Sequence, residues 1–175
     1  MSCVLNLPGQ PPIYYTAVYA SNLSSERVDL WADLLNLHDT LDFEVKNRII
    51  DSDFNQIIYP NEQSNPGSTT PDSLMYQLQD CFLQLGVFDL RYLGPYHSWT
   101  NNQPENPTAK KLDRLLINSN IISTFPHCLA TFLPLSLISD HSPCFLDLAY
   151  QLPKAGTKPY KFQNYLTKHP SFAQV

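Results

Sequence analysis

Ile49-Ile50-Asp51-Ser52-Asp53-Phe54-Asn55 is the stretch on which the fold turns. Apolar β-branched residues lead into it and a turn signal closes it, so the pattern predicts a strand ending in an Asp-Phe-Asn turn. Alternation along a strand is expected to put Asp53 and Asn55 on one side, projecting together into one cleft. That pair suits phosphate ester chemistry. A carboxylate can take a proton from water or hold a metal, and a carboxamide can donate to a phosphoryl oxygen without adding negative charge. Asp-x-Asn is also common in turns that cap backbone groups, so the rest of the chain has to carry the functional reading.

Working outward, residues 2–7 and 13–20 read as two strands joined by a Pro- and Gly-rich turn, a hairpin. The second ends at Tyr19, and Asn22 follows three residues on. A phenol and an amide are thus expected near a strand's C-terminal end, where α/β sheets gather their sites. Ser24 or Ser25 is the expected N-cap of a helix whose apolar face carries Leu23, Val28, Leu30, Trp31, Leu34, Leu35 and Leu37. His38 and Asp39 fall at its end, and residues 43–50 are read as the strand leading into the turn. The strand, helix, strand order is that of a layered α/β domain. Residues 59–72 form a long loop that could border a substrate groove. Asp72 or Ser73 caps a second helix with Leu74, Met75, Leu78, Cys81, Phe82 and Leu85 on its apolar face, stopped at Gly86.

Beyond this helix, residues 87–90 and 96–101 read as short extended pieces and residues 102–107 as a loop. Residues 111–117 form an apolar strand in which Asp113 needs either solvent or a partner. Asn118-Ser119-Asn120 begins a helical turn. Residues 128–137 and 144–148 are read as extended, with Ser139-Asp140-His141-Ser142-Pro143 between them.

The chain has 175 residues and is 43% hydrophobic, enough for one domain with a real core. Residues 1–150 read as that domain and 151–175 as a linker-like tail with scattered lysines. Eleven Lys and Arg against 16 Asp and Glu give a formal charge of −5, so nothing attracts a polyanion in bulk and a nucleic-acid reading must rest on a local site. Cys3, Cys81, Cys128 and Cys144 lie far apart without a Cys-x-x-Cys pair, and are expected to be buried thiols in a reducing compartment. The start of the sequence has no basic, apolar leader pattern, and no segment is apolar for the length of a membrane helix. An intracellular protein of nucleus or cytoplasm, without membrane association, is expected.

Asp140-His141 places a metal-capable carboxylate beside an imidazole, and Asp113 could fix that imidazole's tautomer and support its cation. With Asp53 and Asn55, these are the ingredients of metal-assisted attack of water on a phosphodiester. On Val18-Tyr19-Ala20-Ser21-Asn22, Asp53-Phe54-Asn55, Ser98-Trp99-Thr100-Asn101, Leu112-Asp113-Arg114-Leu115 and Ser139-Asp140-His141-Ser142-Pro143, in that order, the chain resembles the endonuclease/exonuclease/phosphatase superfamily. Within it, the likeness is to the apurinic/apyrimidinic-like endonuclease domain of plant LINE-type non-LTR retrotransposons.

The resemblance implies an α+β fold, part of a four-layer two-sheet sandwich with flanking helices. It implies that Tyr19 contacts the scissile phosphate, Asp53 activates the attacking water and Asn55 hydrogen-bonds the phosphate. Asp140 would be a metal-site carboxylate, His141 would stabilise the phosphorane, Asp113 would orient His141, and Asn22 and Trp99 would border the substrate. The implied cofactor is Mg²⁺ or Mn²⁺ and the implied partner is DNA.

Two departures qualify this. The family's Asn-bearing and Glu-bearing strands precede the segment where this sequence starts, so the expectation is a truncated domain that binds its metal weakly and has weak or no activity alone. Where the family has glycine before the Asp, Asp51-Ser52 stands here, implying strain at Ser52 and extra repulsion from Asp51. Two alternatives remain: a small-molecule phosphatase of the same fold, and a non-catalytic remnant that associates with other proteins through an exposed sheet face.

Overall fold

The computed structural model describes residues 1–151 except 66, 68 and 137, so all but the first residue of the 151–175 tail lies outside the described residues. The expected hairpin forms: β1 (Ser2–Leu5) and β2 (Ile13–Tyr19) pair antiparallel, with Cys3 opposite Tyr15. The turn between them contains Gly9 at φ 72, a backbone that costs glycine little.

Helix α1 (Ser24–Leu41) begins earlier than its serines suggest. Leu23 occupies the cap position and makes no side-chain cap bond, and Ser24 is already helical. The Ser21 hydroxyl accepts from the Leu23 amide instead, and the Arg27 side chain donates to the Ser21 and Asn22 carbonyls. Those bonds fix the turn out of β2 and set the helix start. At the other end the predicted strand over 43–50 is corrected. Asp42 at φ 48 ends the helix, Phe43–Val45 make a 3₁₀ turn, and the strand runs from Asn47 to Asp53. Phe43 serves here as a packing residue, its ring 4.3 Å from the guanidinium carbon of the buried Arg48.

That strand, β3 (Asn47–Asp53), is the middle of a five-stranded sheet. It pairs parallel with β2 on one side and antiparallel with β8 (Asp113–Asn118) on the other. Next to β8 lies β4 (Val87–Asp89), which follows α2 (Ser73–Gln84). The second helix is as predicted. Asp72 accepts from the Met75 amide as N-cap, and Gly86 at φ 63 ends it. Asn118 likewise caps α3 (Ser119–Thr124), the expected helical turn.

A second sheet contains β10 (Cys144–Asp147), β9 (Leu129–Phe132) and β5 (Tyr92–Leu93), and β6 (Trp99–Thr100) pairs with β7 (Ala109–Lys110) as a small ribbon. The strand expected over 111–117 starts at Asp113, and of the extended run expected over 128–137, whose residue 137 lies outside the described residues, Leu129–Phe132 are strand.

Alternation along β3 divides the core. Ile50 and Phe54 pack with Trp31, Leu34, Leu78, Phe82 and Leu116 under α1 and α2. Ile49 packs with Ile13, Leu115, Ile117, Ala130 and Phe132 between the two sheets. Helices, first sheet and second sheet thus make three layers, an α+β two-sheet sandwich of the expected class with three of the four layers that the resemblance implied. Ser52 faces the helices without strain. It sits in regular strand, with no positive φ, and its buried hydroxyl donates to the Arg114 carbonyl. Cys81 and Cys128 are buried as predicted, but Cys3 is exposed on the edge strand β1 and Cys144 is only partly buried.

One polar cluster fastens the loop after β3 to β8. The Arg114 guanidinium, 1% exposed, donates to Glu62 and to Asp89, and Lys111 bonds Asp89 at 2.8 Å. Glu62 also accepts from the Ile58 amide at 2.7 Å and the Tyr59 amide at 3.3 Å. Buried charges are tolerated when each has an opposite partner and further hydrogen bonds, and here both conditions hold.

Candidate active site

Topology alone brings the first three site residues together. Parallel β2 and β3 end side by side, with Tyr19 paired to Asp53. Antiparallel β8 begins at the same sheet end, with Asp113 paired to Asp53. Two carboxylates facing each other across strands repel, so this row needs a compensating cation.

His141 supplies it. Its Nδ1 lies 2.9 Å from Asp113 Oδ2 and its Nε2 3.8 Å from Asp53 Oδ2. Burial alone would lower the imidazole's pKa. The Asp113 hydrogen bond and the charges of Asp113, Asp53 and Asp140 outweigh burial, and the net shift is upward. Asp113 is also raised, chiefly by burial, against the opposing bonds from Ser98 and His141.

Ser98 holds this pair in place. It is buried, its hydroxyl accepts from the Leu112 amide at 3.0 Å and the Asp113 amide at 2.8 Å, and its carbonyl accepts from Ser142 at 2.7 Å. One residue therefore joins the start of β8 to the segment bearing His141.

Asn55 reaches the same cleft by a different route from the one predicted. The strand ends at Asp53, and Asn55 takes φ 49 instead of continuing the alternation. Its amide N–H donates to Asp53 Oδ1 at 2.9 Å, and its side-chain Nδ2 donates to the Ala20 carbonyl at 2.7 Å. Asp53 Oδ2, by contrast, is buried with no hydrogen-bond partner among the described residues. Asp140 is turned toward Trp99, whose indole donates to Asp140 Oδ2 at 3.0 Å. Asp51, the other carboxylate of β3, is occupied elsewhere: it accepts from the Tyr15 hydroxyl at 2.7 Å.

These residues line a cleft of about 580 Å³ that contains Tyr19, Asn22, Asp53, Asn55, Trp99, Asp140 and His141. All the predicted site residues except Asp113 line it directly, and Asp113 reaches it through His141. Tyr19 is 82% exposed at the rim. Gln63 and Asp72 bring the 59–72 loop to the cleft wall, as its length suggested.

Sequence reasoning missed Arg27 and Lys110, which also line the cleft. The only signal for either was a basic residue beside a predicted element boundary. Ser98 was visible within a motif but had no assigned part.

For a divalent metal, the ligand atoms of Asp53, Asp113 and His141 lie within 4.8 Å of one another. Asp53 Oδ2 among them, without a hydrogen bond, is an oxygen of the kind hard cations take. Asp140 is not part of that group. The donor set fits a divalent cation in chemistry, with few carboxylates to hold it.

Among the described residues no helix is long and apolar enough to cross a membrane. No family model and no curated protein matches the chain. Among solved structures, the endonuclease domain of TRAS1, a telomere-specific non-LTR retrotransposon, matches 86% of this chain and 64% of its own at 10% identity, with a TM-score of 0.58. A beta toxin from Staphylococcus aureus matches 85% of this chain and 53% of its own at 13% identity, with a TM-score of 0.49. A mutant of that toxin with bound magnesium ions matches at 13% identity over 83% of this chain and 52% of its own, with a TM-score of 0.45. At such identities likeness speaks to fold alone, and the first comparison carries it. The chain has an α+β sandwich fold like that of the TRAS1 endonuclease domain, of whose length it spans 64%.

Proposed function

We propose that the cleft hydrolyses phosphodiesters with the help of a divalent metal, nicking DNA as a LINE-type retrotransposon endonuclease domain does, and that residues 1–175 alone do so weakly. The observation that carries this reading is the row Asp53, Asp113 and His141 at one sheet end, with the buried Asp53 Oδ2 free of hydrogen bonds beside the imidazole. Asp53 takes the proton of the attacking water. His141, whose cationic form Asp113 favours, places positive charge against the oxygens of the five-coordinate phosphorus, where negative charge grows. Asn55 and Tyr19 contact the phosphate, while Asn22 and Trp99 border the strand. Asp53, grouped with Asp113 and His141, is the carboxylate that would hold Mg²⁺ or Mn²⁺, with Asp140 of the same cleft the further carboxylate the resemblance implies; the ion would supply Lewis-acid polarisation of the phosphoryl oxygen. So few carboxylates hold such an ion weakly, in keeping with weak activity.

The test is nicking of supercoiled plasmid with Mg²⁺ or Mn²⁺, comparing the chain with His141→Ala. Slow nicking that the substitution abolishes is the expected result. Equal nicking by both chains refutes the assignment.

A second reading has one observation in its favour. Val4 and Leu5 on edge strand β1 and Phe145 on edge strand β10 are exposed, as in a module that binds other proteins through a sheet edge. No nicking under any metal would favour it.

A further inference from the structure

A cross-strand row continues the catalytic residues along the cleft wall. Trp99 on β6 pairs with Lys110 on β7; on its other side Trp99 pairs with His141, and Lys110 pairs with Gln63. Backbone bonds brace both ends. Thr100 donates to the Asp140 carbonyl and Ser142 to that of Ser98, while Ser64 donates to Ala109 and Lys111 to Glu62. Residues directly opposite across strands put their side chains on one face, and His141, Trp99, Lys110 and Gln63 all line the cleft. With neighbouring strands about 4.8 Å apart, Lys110 stands two steps, roughly 10 Å along the row, from His141.

The side chains of this row differ in how far they are committed. His141 is bonded to Asp113, the Trp99 indole donates to Asp140, and the Gln63 side-chain amide donates to the Asn65 carbonyl at 2.6 Å. Lys110 is half-buried, with its ammonium 6.0 Å from the centre of the Trp99 ring. Among the described residues that ammonium has neither a hydrogen-bond acceptor nor a carboxylate partner. An aromatic face fixes where an ammonium lies without neutralising it. The neighbouring cations are engaged: Arg27 with the Ser21 and Asn22 carbonyls, Lys111 with Asp89, and Arg114 with Glu62 and Asp89. Lys110 therefore brings an unmatched charge to the cleft wall, beside the imidazole that the proposed function sets against a phosphodiester.

We propose that Lys110 binds a phosphate adjoining the phosphodiester at Asp53 and His141, so that the row from His141 toward Gln63 is a track for the backbone of a polynucleotide. This deepens the hydrolase reading and rests on it. It assigns the cleft to a substrate that offers phosphates in series, over a small ester carrying one. It also supplies the local attraction that a chain of net charge −5 lacks in bulk, in a cleft whose Asp72 and Asp140 repel anions.

The experiment is binding of a fluorescent duplex oligonucleotide to the full chain over a salt series, in EDTA so that cleavage does not intrude. Lys110→Met keeps an apolar stem against Trp99 and loses the charge, whereas Lys110→Arg keeps the charge and also stacks on aromatic faces. Lys110→Met is expected to weaken binding and to reduce the slope of log affinity against log salt by about 0.9, the value of one phosphate contact, with Lys110→Arg close to the parent chain. An unchanged slope in Lys110→Met overturns the proposal, as does an equal loss in both variants, which marks a packing role, or no binding by the parent chain.

NMR of the parent chain with the same duplex needs no variant to fold. Shifts at both His141 and Lys110 are expected, and shifts that leave Lys110 unmoved overturn the proposal. The two readings fail separately. Nicking that depends on His141, with an unchanged salt slope in Lys110→Met, removes the subsite alone; binding that depends on Lys110, without nicking, removes the hydrolase alone.

Discussion

Replacing Arg114 with methionine tests whether the charged cluster beneath the cleft stabilises the fold. The parent guanidinium is 1% exposed and serves both Glu62 and Asp89. Methionine fills much of the space of the arginine stem but leaves the Glu62 carboxylate, 4% exposed, without its main counter-charge. Removing one partner of a buried ion pair costs about 3–5 kcal/mol. The lower end applies here, because the Ile58 and Tyr59 amides still donate to Glu62 and Lys111 stands 4.0 Å from its other oxygen. Asp89 is better placed, since Lys111 still bonds it at 2.8 Å.

A loss of about 3 kcal/mol is a large share of the roughly 5–15 kcal/mol that holds a domain together. In a chain of 175 residues it should lower Tm by about 6–12 °C. Urea unfolding of the parent chain, Arg114→Met, Glu62→Gln and the double variant would measure it. In the double variant no buried charge of the Arg114–Glu62 pair remains unpaired, so its loss should fall short of the summed single losses by about 1–2 kcal/mol. A single variant within about 0.5 kcal/mol of the parent, or strictly additive losses, would refute the reasoning.

Two more expectations concern the site and the sheet behind it. Proton NMR should place the titration of His141 above 6.5, because its bond to Asp113 and the charges of Asp113, Asp53 and Asp140 outweigh burial, and Asp113→Asn should bring it down. With the folded pKa raised, the associated stability is complete below pH 6.5 and disappears as pH rises through the folded value; a His141 titrating at or below 6.5 would contradict this. Gly94→Ala should cost at least about 2 kcal/mol in a denaturant melt. Gly94 has φ 113, and a Cβ there would lie 2.0 Å from the Phe132 carbonyl oxygen on β9. A neutral alanine would mean that β5 and β9 are not packed as described.

The elements legible in the sequence were those whose causes are local. The Pro-Gly turn before β2, a cap at Asp72 or Ser73, the Gly86 stop and the helical turn opening at Asn118 each act within a few residues, and each formed where it was read. The two-residue strands β5 and β7 were not legible, because two residues have no period, whereas β6 falls inside the extended piece expected over 96–101; Lys110 and Gly94 acquire meaning only from strands far along the chain. The glycine comparison at Ser52 misled for a related reason. A substitution that would strain a tight turn is harmless in regular strand, where the Ser52 hydroxyl finds the Arg114 carbonyl.

The site was legible in its residue types but not in how they meet. Alternation was invoked to bring Asn55 beside Asp53, yet the strand has ended by then, and a left-handed residue bonded to Ala20 does the work. Nor could any local pattern reveal that Asp53 and Asp113 stand opposite each other, since register between β3 and β8 is set by the apolar rows of Ile49, Ile50, Leu115, Leu116 and Ile117 packing on both faces of the sheet. The packing of the core thus forces two like charges together at the sheet end, and the fold accepts that repulsion because His141, held by Ser98, lies against both. A row of two carboxylates offset in part by one titrating imidazole responds to any further charge brought to it, which is the property a phosphodiester or a divalent cation would meet on entering the cleft.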